Sequence, residues 1–239
     1  NNGTMAGLDA IDNEQWTNAV VEYAYAKSAF TKLSRICEKV RSSFSKITHA
    51  GQQIQFDFIY YHTTESGGKR TNIKCGKSHG GLLAIDTATG RPWFRPMASQ
   101  KATNYVRTFA MMIKQIRIDI NNTPNSVEIE SILWDQHATQ FSSLIIDEIY
   151  TLNKDPKCNI TPVAARLNKN DLAVLNRVSA ILHQMATLAI MWSDLPDYFL
   201  GYAYEYEVIR YYYLPNTSSK KRGLGFSPFS LWTGVQTST

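Results

Sequence analysis

The sequence has only three cysteines, Cys37, Cys75 and Cys158, in 239 residues. An odd number at wide spacing excludes a disulfide framework and a CxxC metal site, and it points to a reducing compartment. Histidine is equally sparse. His49, His62, His79, His137 and His183 show neither H-x-x-x-H nor H-x-x-H spacing, so they read as surface or packing residues. A Cys–His nucleophile pair has no support. The Gly-rich stretch 67–81 holds Gly-Lys-Ser in "CGKSHGG" but lacks the earlier Gly of a phosphate loop. No apolar run approaches a membrane span and no signal peptide is visible, so no membrane partner is expected. The chain opens "NNGTMAGLDA" without an initiator Met, and we expect it to be a piece of something longer.

Charged residues make up 19%, while hydrophobic residues reach 44% and aromatics 12%, with 13 tyrosines. That composition excludes disorder and provides a core with aromatic surface left for a partner. The formal charge of +5 is compatible with a phosphate-bearing partner. Lys69, Arg70, Lys74 and Lys77 cluster in the Gly-rich stretch, and Lys220, Lys221 and Arg222 near the end. They read either as solvated loops or as nucleic-acid contacts.

Periodicity organises the chain. Residues 12–47 are helix-compatible and read as an arm. "QQIQFDFIYY" (52–61) alternates with period two and predicts a strand. A long loop is expected over 64–80. "GLLAID" and "RPWFRPMA" flank "TATG" and predict a hairpin. A helix follows over 99–119, with Val106, Phe109, Ala110, Ile113 and Ile116 near one face. Then come a strand over 126–135, a helix over 138–151, a strand over 158–165, and helices over about 170–192 and 195–213. Between these, Asp194 is expected as a cap and Pro196 in a first turn. Strands first paired, then alternating with helices, predict an α/β fold with a mixed sheet between helices.

Three acids fall at strand positions or helix starts: Asp57, Asp135 and Asp171. Mg²⁺ takes oxygen ligands from one or two carboxylates plus waters and phosphate oxygens, and two such ions can clamp both oxygens of a phosphoryl displacement. Each acid also has a plain reading. Asp at a strand end is a common turn residue, and in "NKNDLAVLNR" (168–177) both Asn170 and Asp171 suit helix capping.

The end of the chain, "LPDYFLGYAYEYEVIRYYYLPN…GFSPFSLWTG" (195–234), resembles the region behind the catalytic core of copia-type LTR-retrotransposon integrases. Leu195, Pro196, Phe199, Asn216, Ser227, Pro228, Leu231, Trp232, Thr233 and Gly234 follow that family's order. Taken alone, Pro228 reads as a turn residue and Trp232 as a surface anchor. The resemblance runs over roughly 50–234. It places Asp57 at the first catalytic Asp, Asp86 and Trp93 in the following hairpin, Asp135 at the second Asp, and Asn176–Arg177 after the catalytic Glu. It implies a ribonuclease-H-like mixed five-stranded sheet flanked by helices, with an N-terminal helical arm (1–48) and a core with C-terminal helices (49–239). It also implies DNA as partner, a homodimer or larger complex, other protein partners, Mg or Mn if the site is active, and nuclear location.

The departures bear on activity. The Gly-Pro after the first Asp is absent, as is the Gly- and Glu-bearing loop after the second. Upstream, "SRIC" (34–37) retains one thiol of a zinc module, too few for a four-ligand site, so no zinc is expected. Counting back from Asn176–Arg177, the third acid falls on Ala173. Counting forward from Asp135, it falls on Asp171 (171 − 135 = 36). Two residues are about 200° of helix rotation, so the two positions face nearly opposite ways. The expectation is an integrase-like domain with impaired catalysis, acting as a DNA-binding or protein-interaction module. The alternative is an active enzyme in which Asp57, Asp135 and Asp171 hold the metal for 3′-processing and strand transfer.

Overall fold

A computed structural model describes residues 47–64, 70–97, 101–124, 126–135, 139–156, 158–165, 172–215 and 226–235. The chain divides between Ser43 and Phe44, and all of these residues belong to the second unit. The expected N-terminal arm, up to residue 46, lies outside them.

Five strands form one sheet. They are β1 (Gln53–Tyr60), β4 (Gly80–Asp86), β5 (Pro92–Met97), β6 (Ser131–Asp135) and β7 (Thr161–Ala165), ordered β5-β4-β1-β6-β7. The β5/β4/β1 side is antiparallel and the β1/β6/β7 side is parallel. Period-two alternation divides the side chains between two cores. Ile54, Phe56, Leu82, Ala84, Ile132 and Trp134 meet helices α1 (Ala102–Asn121) and α2 (Thr139–Leu152). On the other face, Ile59, Leu83 and Ile85 meet α3 (Ala173–Ser193) and α4 (Leu200–Tyr213). The result is the expected mixed sheet between two helical layers.

Local chemistry explains several boundaries. The β4–β5 turn closes on Asp86, whose side chain is fully buried. Its Oδ1 accepts from Gly51 N at 3.0 Å, and its Oδ2 accepts from Thr89 N and Thr89 Oγ1 at 2.7 and 2.6 Å. Gly90 completes the turn at φ 77°. Helix α5 (Pro228–Thr233) is built by the Ser-Pro-x-x-Leu-Trp-Thr-Gly run itself. Ser227 Oγ accepts from Ser230 N, Pro228 opens the first turn, and Gly234 ends the helix at φ 74°, each residue type suiting its position.

Some expectations shift. The loop expected over 64–80 contains a small hairpin, β2 (His62–Thr64) with β3 (Arg70–Asn72), followed by a tight turn with reciprocal Cys75–Ser78 backbone bonds. Of the strand expected over 126–135, only 131–135 joins the ladder, although Val127 N still reaches Ala50 O at 2.8 Å. The buried face of α1 is Tyr105, Phe109, Met112, Ile113, Ile116 and Ile120, so Val106 and Ala110 sit at its margin. Asp194 does not cap the helix after it. It ends α3 in the left-handed conformation at φ 52°. Pro196 precedes a short 3₁₀ turn (Asp197–Phe199), and α4 starts at Leu200. By length and composition α3 could cross a membrane, contrary to the expectation that no run does. Here Leu175, Val178, Leu182, Met185, Ala186 and Ile190 pack it into the second core.

Candidate functional site

The two strand acids lie on neighbouring strands near the centre of the sheet. β1 and β6 run parallel with Phe56 opposite Trp134. Asp57 and Asp135 are the next residues on the two strands, just past the end of that ladder. Asp57 is half-buried, and its Oδ1 accepts from Phe58 N at 2.7 Å. Its carboxylate, together with burial, raises the phenol of Tyr105 above its ordinary value, burial being the larger cause. Asp135 closes β6 opposite Ala165 of β7. Asp57 stands on the α3–α4 face, because Gln55, Asp57 and Ile59 alternate with the Phe56 series.

Helix α3 begins over this face. Its N-cap residue is Leu172, whose side chain makes no cap bond, and Ala173 is the first helical residue. Leu172 is instead buried against Leu133 of β6 and Val163 of β7. The cap function comes from elsewhere in the chain: Gln55 Oε1 accepts from Leu175 N at 3.0 Å. Gln55, buried in the middle of β1, was not singled out by sequence reasoning. The helix therefore starts later than the expected residue 170, with residue 172 as its N-cap. Asn170 and Asp171 lie outside the described residues.

Mg²⁺ chemistry can be tested against this donor set. Two carboxylate positions adjoin on parallel strands, which suits a hard cation. At the third position, the one fixed by the Asn176–Arg177 count, stands the methyl group of Ala173, which has no oxygen to offer. Among the described residues no three His, Cys, Asp or Glu side chains form a metal cluster. Asp171, the other candidate for a third ligand, lies outside the described residues.

The expected nucleic-acid contacts divide. Lys74 and Lys77 are exposed beside the Cys75–Ser78 turn. That turn is anchored to α4, since Gly201 N donates to Cys75 Sγ at 3.1 Å. Arg70 lies in β3, while Lys69, Lys220, Lys221 and Arg222 lie outside the described residues. The tyrosine run of α4 splits by face. Tyr204 and Tyr211 are buried, and Tyr202, Tyr206 and Tyr213 are exposed together with Ile209. Burial raises the Tyr204 phenol well above its ordinary value. Trp232 is not the surface anchor expected of it in isolation, because it is completely buried.

No protein-family model and no curated protein sequence matches the chain. Solved structures do match. A chain of the simian T-cell lymphotropic virus intasome in complex with the PP2A regulatory subunit B56 gamma is 11% identical, over 80% of this chain and 57% of that one, with a TM-score of 0.55. This chain thus spans just over half of that one. The HTLV-2 integrase catalytic core in complex with magnesium, in its trimeric form, is 10% identical over 79% of this chain and 99% of that one, with a TM-score of 0.50. The catalytic core of BIV integrase is 14% identical over 76% and 93%, with a TM-score of 0.47. The likeness is one of fold, and the fold is the ribonuclease-H-like α/β fold of integrase catalytic cores.

Proposed function

We propose that this chain is a copia-type, retroelement-derived integrase-like domain that has lost strand-transfer chemistry and acts by binding DNA or other proteins. One observation carries this reading: α3 opens at Ala173, where the Asn176–Arg177 count expects the third acid, while Asp57 and Asp135 lie on neighbouring central strands. Two carboxylates without a third hold a divalent ion weakly. The neighbouring HTLV-2 core is a magnesium complex, and on this reading the present chain has kept the scaffold of such a site without its full ligand set.

DNA is the partner that Lys74 and Lys77 suit, and the domain works in the nucleus. A homodimer would pair one exposed patch with itself, since a two-fold interface presents the same surface from both copies. α4 offers Tyr202, Tyr206, Ile209 and Tyr213 for that. The second reading, an active transferase using Asp171, rests on the interval of 36 residues from Asp135 (171 − 135).

An assay of 3′-processing and strand transfer with Mg²⁺ or Mn²⁺ separates the two. The expected result is no activity in the unmodified chain and its appearance in Ala173→Glu. Activity in the unmodified chain that vanishes in Asp171→Asn would overturn the proposal.

A further inference from the structure

We propose that Gln55 is a positioning residue for this site, an acceptor on β1 that sets the register of α3 and so decides which residue of that helix stands at the two strand acids. The inference rests on the reading of position 173 as the place of the third acid.

A helix start leaves its first backbone N–H groups without intrahelical partners, and a polar N-cap side chain ordinarily takes one of them. In α3 the N-cap is Leu172, which cannot. The N–H of the third helical residue, Leu175, goes instead to Gln55, 120 residues earlier in the chain. Gln55 is 2% exposed and Leu175 fully buried. A carboxamide at that depth is costly unless it is bonded, and a strand with one buried face is ordinarily filled there by an aliphatic residue. The polar side chain therefore has a specific task. Leu172 fixes the helix start on β6 and β7 by apolar contact, and Gln55 fixes it on β1 by a directed bond.

These two attachments set both the position and the rotation of the first turn. A slip of one residue turns the helix by about 100°, and the bond to Leu175 opposes that slip. Gln55 lies two residues before Asp57 on the same face of the strand, so the group that holds the helix and the group it serves share one rigid element. The register that results makes Ala173 the first helical residue. On the reading of position 173 adopted above, a carboxylate introduced there would join the strand acids, and a shift of the helix would carry it away.

The test is Mn²⁺ titration of the full chain, followed by the EPR signal of free Mn²⁺, for the parent, Ala173→Glu, Gln55→Met, and the double variant. Methionine matches the length of Gln55 without its acceptor. We expect Ala173→Glu to tighten Mn²⁺ binding at least tenfold and the double variant to lose that gain, with the helical circular dichroism of both retained. A gain that persists without Gln55 overturns the positioning role and leaves the proposed function standing. No gain in Ala173→Glu itself overturns the reading of position 173 and this inference with it. Should Gln55→Met fail to fold, amide exchange in Ala173→Glu decides. Protection of the Leu175 N–H equal to that of inner helix amides supports the bond, and exchange as fast as at a frayed helix end refutes it.

Discussion

The indole of Trp232 donates from Nε1 to Thr123 Oγ1 at 2.8 Å and joins the last helix to the segment after α1. The same indole stands edge-on to Trp93, with ring centroids 5.3 Å apart. The Arg91 guanidinium lies over Trp93, Tyr212 and Trp232 at 4.6 to 4.7 Å. Asp119 pairs with Arg91 and accepts from Trp93 Nε1 at 2.8 Å. The Ser-Pro-x-x-Leu-Trp-Thr-Gly run is therefore part of a clasp between α1, β5 and α4. We expect Trp232→Ala to cost about 3–5 kcal/mol of stability, as for other large buried side chains, and Thr123→Val about 1 kcal/mol. Urea unfolding measures both, and an unchanged midpoint for Trp232→Ala would show that the clasp contributes nothing.

Ser227 and Gly234 bracket that helix and lend themselves to a finer test. Ser227→Ala removes the cap to Ser230 N and should cost about 1 kcal/mol. Gly234→Ala forces a side chain onto φ 74° and should cost on the order of 1 kcal/mol. Thermal unfolding of the two single variants and the double variant checks the magnitudes.

Glu207 makes stability depend on pH. Its side chain is fully buried, Oε1 pairs with Arg210 at 2.7 Å, and Oε2 has no hydrogen-bond partner among the described residues. Burial raises its carboxyl above the ordinary value, and the Arg210 guanidinium works against that rise. The folded state then binds the proton more tightly than the unfolded chain. The associated stability is fully present below the ordinary carboxyl pKa and is lost as pH rises through the raised folded value. Glu207→Gln removes this dependence. We expect the variant to be more stable than the parent at neutral pH by about 1 kcal/mol, with the difference shrinking at acid pH. Denaturant midpoints at pH 4 and pH 7.5 test it. A variant less stable than the parent at pH 7.5 would mean that the Arg210 pair outweighs the burial.

DNA binding by the turn at Cys75–Ser78 should depend steeply on salt. Double substitution Lys74→Ala and Lys77→Ala should weaken duplex binding at low ionic strength and lower the slope of log K against log salt by about 1–2, as expected for one or two lost phosphate contacts. Fluorescence anisotropy at several salt concentrations reads the slope. An unaltered slope would remove this turn from the interface.

Residues close together in sequence made much of this legible. The alternation in "QIQFDFIY" predicts both the β1 strand and the placement of Asp57 on it. The hairpin around "TATG" follows from the apolar strands on either side of a turn. Ser227, Pro228 and Gly234 suit a short helix at its two ends, although from the sequence Pro228 reads only as a turn residue. Such signals act within one or two turns of the chain, so a single sequence carries them.

The helix starts were harder to read because their determinants lie elsewhere. In "NKNDLAVLNR" the caps Asn170 and Asp171 suggest a helix from 170, and local propensity contains nothing to oppose that. What opposes it is Gln55, far away on β1, and the seat for Leu172 between Leu133 and Val163. Trp232 is similar, since its neighbours suggest a surface residue and its burial depends on Trp93, Arg91 and Thr123.

The sequence by itself determined the five strands of the main sheet, the long helices and the places of Asp57 and Asp135 along the chain, because alternation and turn chemistry are local. Only the tertiary structure decided that those acids follow paired residues on neighbouring strands and that α3 begins at Ala173. Strand register and a cap supplied from another element are contacts across the fold, and they exist only once the sheet and helix have packed.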